Sequence, residues 1–294
     1  MNEHVIHRLD FGSVRVDASM LVRGRAPGVD VEVPAQGYLI TGDHSPILVD
    51  AGYRDPSVLG NGGTITPEQE FGAQLAQHGI TPSDLACVVP THLHRDHAGH
   101  LDKVPMSIPV VANRAELECA FSGLQGLAYA RDDLLHIVQR MYTPGALRIL
   151  DLAPGVAVEL TPGVEVVASG GHTRGSINVL VHTAEGSAAL VGDLLYDLEG
   201  ALHNRPAGTP TAGVQPYAFT LEEPATTNNF TPSIADEIAA VKAVLRNRFL
   251  LPAHDRPGVV FGGRLVGRIE GPTVPGPITP LSPIQPVHQQ HHPE

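Results

Sequence analysis

Residues 91–100 read THLHRDHAGH. Four histidines and one aspartate fall within ten residues, directly after the apolar run ACVVP at 86–90. A short apolar run of this kind reads as a buried strand. The cluster therefore leaves a strand's C-terminal end on a loop that feeds a helix, which is where α/β proteins gather ligands. His92, His94 and His97 offer imidazole nitrogens and Asp96 offers a carboxylate. That mixture suits zinc or a similar borderline metal. One ion would not take every donor from so tight a loop, so two adjacent ions are expected. The bland alternative is a solvated, histidine-rich loop. It is disfavoured by the H-x-H-x-D-H spacing and by further donors downstream.

Those donors also follow apolar runs. His172 comes after VEVVASGG, Asp193 after SAALVG and His254 after RFLLPA. The glycines before His172 give its side chain backbone room. A carboxylate such as Asp193 can bridge two ions. A lone histidine at a strand end is more often a hydrogen-bonded surface residue, so each is weak singly. As a set, they complete two coordination spheres.

The chain has 294 residues, 42% of them hydrophobic and 17% charged. This is enough for one large core or two small domains, and it is not the composition of a disordered chain. The net charge of −12 argues against nucleic acid or an anionic membrane as partner. Cys87 and Cys119 lie in apolar contexts and read as buried, reduced thiols. The polar start MNEHVIHRLD lacks a signal-like apolar stretch, and no run approaches membrane-spanning length. The expectation is a soluble cytoplasmic protein.

Further strands are expected at GYLIT (37–41), PILVD (46–50), IPVVA (108–112) and through 147–192. Thr66 and Pro67 open a helix that Gly79 ends. Asn113 is placed to cap RAELECAF. RDDLLHIVQRM puts Leu134, Leu135 and Val138 on one side. A late helix has Ile234, Ile238, Val241 and Leu245 on one face. RFLLPAHD reads as the last strand. Two blocks of strands, each flanked by helices, predict an α/β sandwich of two packed sheets with helices outside. The core domain is assigned to 1–256 and an extended or partly disordered Pro/Gly-rich tail to 257–294, whose His288, His291 and His292 read as loose tail residues. Region 203–230 reads as a long loop near a site.

The ordered set H-x-H-x-D-H, His172, Asp193 and His254 resembles the metallo-β-lactamase fold superfamily. ILVDAG (47–52), GGHTRGS and VGDLLY resemble its first, third and fourth motifs. Within the superfamily the chain looks most like the N-acyl-homoserine lactonases, through its metal loop, the approach at 31–52, Asp193 and Tyr196 three residues later. The resemblance covers about residues 10–256. It implies an αβ/βα sandwich of two mixed sheets. It implies that Asp50 orients the metal loop, that His92, His94 and His172 hold one ion, that Asp96, His97 and His254 hold the other, and that Asp193 bridges them. Two zinc ions are expected, with iron, manganese or cobalt as alternatives, and a homodimer is a family-level expectation. His100 stands where lactonases commonly have glycine, and Arg174 where they have proline; both put the substrate in question.

The implied activity is opening of a lactone or other small ester by a hydroxide on the metal pair. The catalytic residues are Tyr196, which would steady the carbonyl oxygen, and Asp96, which would pass the proton. A glyoxalase-II-like thioesterase is the runner-up, with Arg246, Arg248 and Arg256 as candidates to hold glutathione. A non-catalytic metal-binding member of the fold is a third reading, disfavoured because no ligand is missing.

Overall fold

Runs such as ILV and CVV carry no polar alternation, so they need apolar cover on both faces. The computed structural model, which describes residues 3–21, 28–55, 62–124, 126–153, 155–202 and 233–281, supplies that cover. The N-terminal sheet contains β1 (Val5–Asp17), β2 (Asp30–Thr41), β3 (Ile47–Val49), β4 (Gly63–Thr64), β5 (Cys87–Val89), β6 (Val110–Asn113) and β7 (Leu147–Leu150). The C-terminal sheet contains β8 (Ala157–Thr161), β9 (Val164–Ala168), β10 (Ile177–Thr183), β11 (Gly186–Gly192), β12 (Phe249–Pro252), β13 (Gly258–Phe261) and β14 (Arg264–Ile269). β15 (Thr273–Val274) returns to pair with β1, and β16 (Ile278–Pro280) pairs with β14.

The strand orders are β15-β1-β2-β3-β5-β6-β7, with β4 on β1, and β16-β14-β13-β12-β11-β10-β9-β8. Pairing is parallel through β3, β5, β6 and β7 and again between β11 and β12. The other pairs are antiparallel, so both sheets are mixed. Val49, Val89, Val179, Leu190 and Leu251 belong to one buried cluster between the sheets. Their strand neighbours Leu48, Val88, Ala189 and Leu250 face outward into a second cluster. That cluster is roofed by α1 (Phe71–Ala76), α4 (Arg131–Met141), α5 (Leu198–Leu202) and α6 (Ile234–Val244). Two further helical segments, α2 (Arg95–Ala98) and α3 (Arg114–Ala120), follow β5 and β6. The αβ/βα sandwich expected from the sequence is the architecture observed.

Several local expectations are corrected. The boundary at residue 256 falls inside the fold, because β13 to β16 build sheet edges through residue 280, and RFLLPAHD is not the last strand. Thr66 opens a single turn that breaks at Glu70, whose extended ψ of 146° separates it from α1. Asn113 stands at the N-cap of α3 without capping it. Its amide instead donates to Gly175 O (3.2 Å) and accepts from Leu152 N (3.4 Å). Cys87 is buried and Cys119 half-buried; both are free. Ile234 of the late helix is exposed, while Val241 and Leu245 are buried. The loop expected over 203–230 and the three tail histidines lie outside the described residues. Among the described residues, no helix is long and apolar enough to cross a membrane.

The expected face of α4 is also wrong. Its buried side is Asp133, His136, Ile137 and Arg140, while Leu135 is exposed. The polar side wins because its groups find partners. The Arg140 guanidinium is fully buried and donates to His136 Nε2 (2.9 Å) and to the carbonyls of Ile108, Ala146, Leu101 and Val104 (2.7–3.1 Å). Burial lowers its pKa to about 10, so it stays charged at neutral pH. Arg54 reaches Asp133 at 2.8 Å and Asp102 at 2.5 Å. A fixed five-donor fork is what lets one side chain gather four carbonyls. Arg140→Lys should therefore lose about 3 kcal/mol in urea unfolding, since an ammonium leaves several buried carbonyls without donors. A loss below about 0.5 kcal/mol, the level of a surface change, would refute this role.

Candidate metal centre

Five chain segments end in one place. Asp50 follows β3, the 91–97 loop follows β5, His172 lies between β9 and β10, Asp193 follows β11 and His254 follows β12. All seven residues expected as ligands meet there in two groups. His92, His94, His172 and Asp193 form one; Asp96, His97, Asp193 and His254 form the other. Within each group the donor atoms lie within 4.8 Å of one another. Asp193 belongs to both. Its Oδ2 faces His92 and His172 at 3.7 and 3.6 Å. Its Oδ1 faces His97 and His254 at 3.0 and 3.3 Å. Asp96 Oδ2 sits 3.0 Å from His254 Nε2 and 3.4 Å from His97 Nε2.

These donors fit metal ions better than they fit each other. His92 Nε2, His97 Nε2 and Asp193 Oδ1 are buried without a hydrogen-bond partner. His97 Nε2 and Asp193 Oδ1 are close enough to bond yet misaligned, because both aim at a shared centre. Leaving such atoms unmatched is costly unless a ligand completes them. The electrostatics divide the donors. Against the effect of burial, the charges of Asp193, Asp50 and Asp96 push His97 well up, and those of Asp193 and Asp96 push His254 up to about 10, whereas His92 and His172 go the other way. Burial and the neighbouring imidazoles of His97 and His94 hold His92 well below its ordinary pKa, in the neutral form that ligates. Burial likewise takes His172 down to about 3. Burial opposes ionisation of Asp193 and Asp96, but the facing imidazoles outweigh it and hold both carboxyls well below their ordinary range.

A shell of contacts aims the ligands, as metal sites require. Asp50 Oδ1 accepts from Thr91 N at 2.7 Å, and its Oδ2 lies 3.0 Å from His97 Nδ1. Thr91 Oγ1 bonds Asp50 and touches Nδ1 of His92 and His97 at 3.2 and 3.3 Å. Thr91 thus braces the metal loop against the end of β3. His254 Nδ1 donates to Pro34 O at 2.8 Å, which turns Nε2 inward. Gly192 has φ +51°, and a Cβ there would meet Thr91 Oγ1 at 2.3 Å. Only glycine lets β11 pass so close to the 91–97 loop.

Tyr196 is at the centre, as expected. Its hydroxyl donates to Asp193 Oδ2 at 2.6 Å, and its ring stacks on His254 at 5.2 Å. Burial and the charges of Asp193 and Asp96 push its pKa well up, so it remains a donor. His100 joins neither group. It is buried between Phe11 and Phe71, donates from Nδ1 to Ala51 O at 2.8 Å, and is pushed by burial down to about 4. It is a neutral brace under the Asp50 turn. Arg174 is exposed. Arg246 and Arg248 lie at the opposite end of β12 from His254, and Arg256 pairs with Glu270 at 3.2 Å.

One residue escaped the sequence reading. Glu116 of α3 is buried and accepts from Leu93 N (2.8 Å), Tyr129 Oη (3.0 Å) and Thr173 Oγ1 (2.5 Å). Leu93 separates two metal-loop histidines, Thr173 follows His172, and the Tyr129 ring lies edge-on against His94 at 4.6 Å. One carboxylate thus ties both loops of the first group to α3. A Cβ at Gly175 would lie 1.9 Å from Glu116 N, so the His172 loop can approach only with glycine there. The available signal was a charged residue on the apolar face shared by Leu117 and Ala120.

Comparison with known proteins agrees with this geometry. The chain is 28% identical to an N-acyl homoserine lactonase of Bacillus thuringiensis over 218 residues, covering 70% of this chain and 80% of the relative. It is 28% identical to the N-acyl homoserine lactonase AiiB of Agrobacterium fabrum over 217 residues, covering 64% and 76%. The crystal structure of a quorum-quenching N-acyl homoserine lactone lactonase superposes with TM-score 0.65 at 25% identity, covering 87% of this chain and 93% of that one. The family model of the metallo-beta-lactamase superfamily matches residues 31–263. With that match spanning both sheets and every donor of the two groups, the chain belongs to the metallo-beta-lactamase superfamily.

Proposed function

We propose that the protein is a dinuclear metal hydrolase that opens lactone rings of the N-acyl-homoserine lactone type. The observation that carries this reading is Asp193, shared by two donor groups and holding the Tyr196 hydroxyl at 2.6 Å. His92, His94 and His172 would hold one ion and Asp96, His97 and His254 the other, with Asp193 common to both. Zinc suits the imidazole-rich set; iron, manganese and cobalt are alternatives. When bound, such a pair supplies a water ionised near neutral pH and Lewis acidity toward an ester carbonyl.

The protein side chains do the remaining work. Tyr196, held protonated, presents its hydroxyl where the carbonyl oxygen gains charge, and a fixed donor there favours the transition state over the ground state. Asp96 is the carboxylate with access to solvent, its side chain 12% exposed against 2% for Asp193. It is the residue placed to carry a proton toward the leaving alkoxide. No serine or cysteine nucleophile is required.

The relatives named as N-acyl homoserine lactonases support the lactone over the thioester. The placement of the arginines supports it too. Arg246 and Arg248 are too far along β12 to hold a glutathione at the centre, and Arg256 is engaged by Glu270. The non-catalytic reading would require a lost ligand, and all seven donors are in place.

A panel of acyl-homoserine lactones, simple γ-lactones, S-lactoylglutathione and a cephalosporin, followed by acid release, tests the assignment. Lactone opening without thioester turnover is expected; the reverse pattern would move the protein to the thioesterase class. Tyr196→Phe should cut kcat about a hundredfold while metal content stays the same. Unchanged turnover would remove Tyr196 from the mechanism. Glu116→Ala leaves three buried donors unmatched and should cost about 3 kcal/mol and lower metal retention against a chelator. Glu116→Gln, which keeps an acceptor for Leu93 and Tyr129, should restore most of both. Equal metal retention in the wild type and both variants would show that Glu116 does not position the ligands.

A further inference from the structure

Arg246 and Arg248 are not idle surface charges. They line a cavity of about 710 Å³ at the end of the C-terminal sheet opposite the metal centre. Three segments form it: the β10–β11 turn at Gly186 and Ser187, the end of α6 with Lys242 through Arg248, and the β13–β14 turn at Phe261 to Gly263. β11 runs from this cavity to Asp193, seven residues at about 3.3 Å each, so the two places are roughly 20 Å apart.

The cavity has fixed walls. Arg248 N donates to Ser187 O at 2.9 Å and Val260 N to Arg248 O at 2.7 Å, so all three segments are pinned by backbone bonds. Its charge is one-sided. Lys242, Arg246 and Arg248 line it and no acidic residue does. None of the three forms an ion pair with an acidic residue among those described. Glu185 is exposed beside Gly186 and Arg264 beside Gly263, so the rim adds one charge of each sign. Lys242 and Arg246 also offset the carbonyl end of α6, and the Arg248 guanidinium lies 5.4 Å from the centre of the Phe249 ring, a contact that positions it without neutralising its charge. In a chain of net charge −12, a cavity lined by three unneutralised cations is a local reversal of sign. Phe261 is 76% exposed at the rim, with Gly262 leaving open space next to it.

We propose that this cavity binds a small organic polyanion: a phosphate ester carrying a planar group, with nucleoside diphosphates as the model. Guanidinium forks match phosphate oxygens in pairs. The Asn247 amide and Ser187 hydroxyl add neutral donors, and the bare face of Phe261 accepts a flat ring. The site is an open groove whose volume falls in the small-molecule range.

Calorimetric titration of the full, metal-containing chain with ADP and with inorganic pyrophosphate tests this. ADP should bind saturably, one per chain. Arg246→Glu combined with Arg248→Glu should weaken it at least about tenfold, with metal content and thermal midpoint unchanged. Phe261→Ala should weaken ADP and leave pyrophosphate as it was. Where the double variant does not fold, Lys242→Gln on the exposed helix surface should weaken both probes. No saturable binding of either probe would overturn the proposal. So would binding that survives the charge reversals, since that would place the phosphates on the metals instead. Lactone turnover by the double variant should match the wild type, so failure of this site and failure of the hydrolase assignment are read separately.

Discussion

Asp50 adopts φ +60°, the only positive φ outside glycine among the described residues. That conformation costs an aspartate about 1–3 kcal/mol. It is offset by what the carboxylate then reaches: Thr91 N and Oγ1, and His97 Nδ1. The turn also brings Ala51 N to His97 O at 2.8 Å and lets Gly99 N donate to Gly52 O at 3.0 Å. The end of β3 and the metal loop are thereby one hydrogen-bonded unit. His100, closing on Ala51 O from behind, takes space a glycine would leave open and packs it with Phe11 and Phe71. The departure from the lactonase pattern at this position reinforces the turn and leaves the donor set untouched.

The other side of the centre rests on a different carboxylate. Glu116 does for His94 and His172 what Asp50 does for His97, but with its own proton balance. Burial pushes it up to about 7, against the pull of the hydrogen bonds it accepts. Asp50 reaches the centre through a strained turn, and Glu116 through three short bonds to parts of different loops. Asp50 bears directly on His97 and, through Thr91, on His92, while Glu116 ties the segments that carry His94 and His172. Asp193, from the second sheet, is common to both groups, so docking of one sheet on the other is what assembles the pair. The apolar cluster between the sheets is in this sense part of the site.

The legible parts of the sequence were those in which the signal is local. The metal loop packs four donors into six residues, and β3, β5 and β11 read as apolar because both of their faces are covered. The parts that did not show depend on distant partners. β1 carries His7, Arg8 and Asp10, and its pairing with β2 extends over its whole length, interrupted by a shift between Asp10 and Ser13 that breaks any alternation. α4 buries Arg140 and Asp133 because carbonyls and Arg54 from elsewhere satisfy them. β13 to β16 were masked by proline and glycine, which at sheet edges interrupt pairing at little cost. Glu116 resembled any surface glutamate until the loops it ties were in place.

The parallel pair β11–β12 explains why the molecule has two distinct ends. Parallel strands place both C-termini at one edge and both N-termini at the other. One edge must then deliver Asp193 and His254 together, and the other Ser187 and Arg248. The first edge is constrained by the donor geometry of the metal centre. The second is free of that constraint, yet it is held just as firmly, since Arg248 N and O are both engaged by neighbouring strands. A rigid edge whose side chains are not needed for the fold's chemistry is where charge can be arranged for another ligand. Arg246 and Arg248, which the sequence offered as candidates to hold glutathione, are kept from the metal centre by the length of the strands themselves.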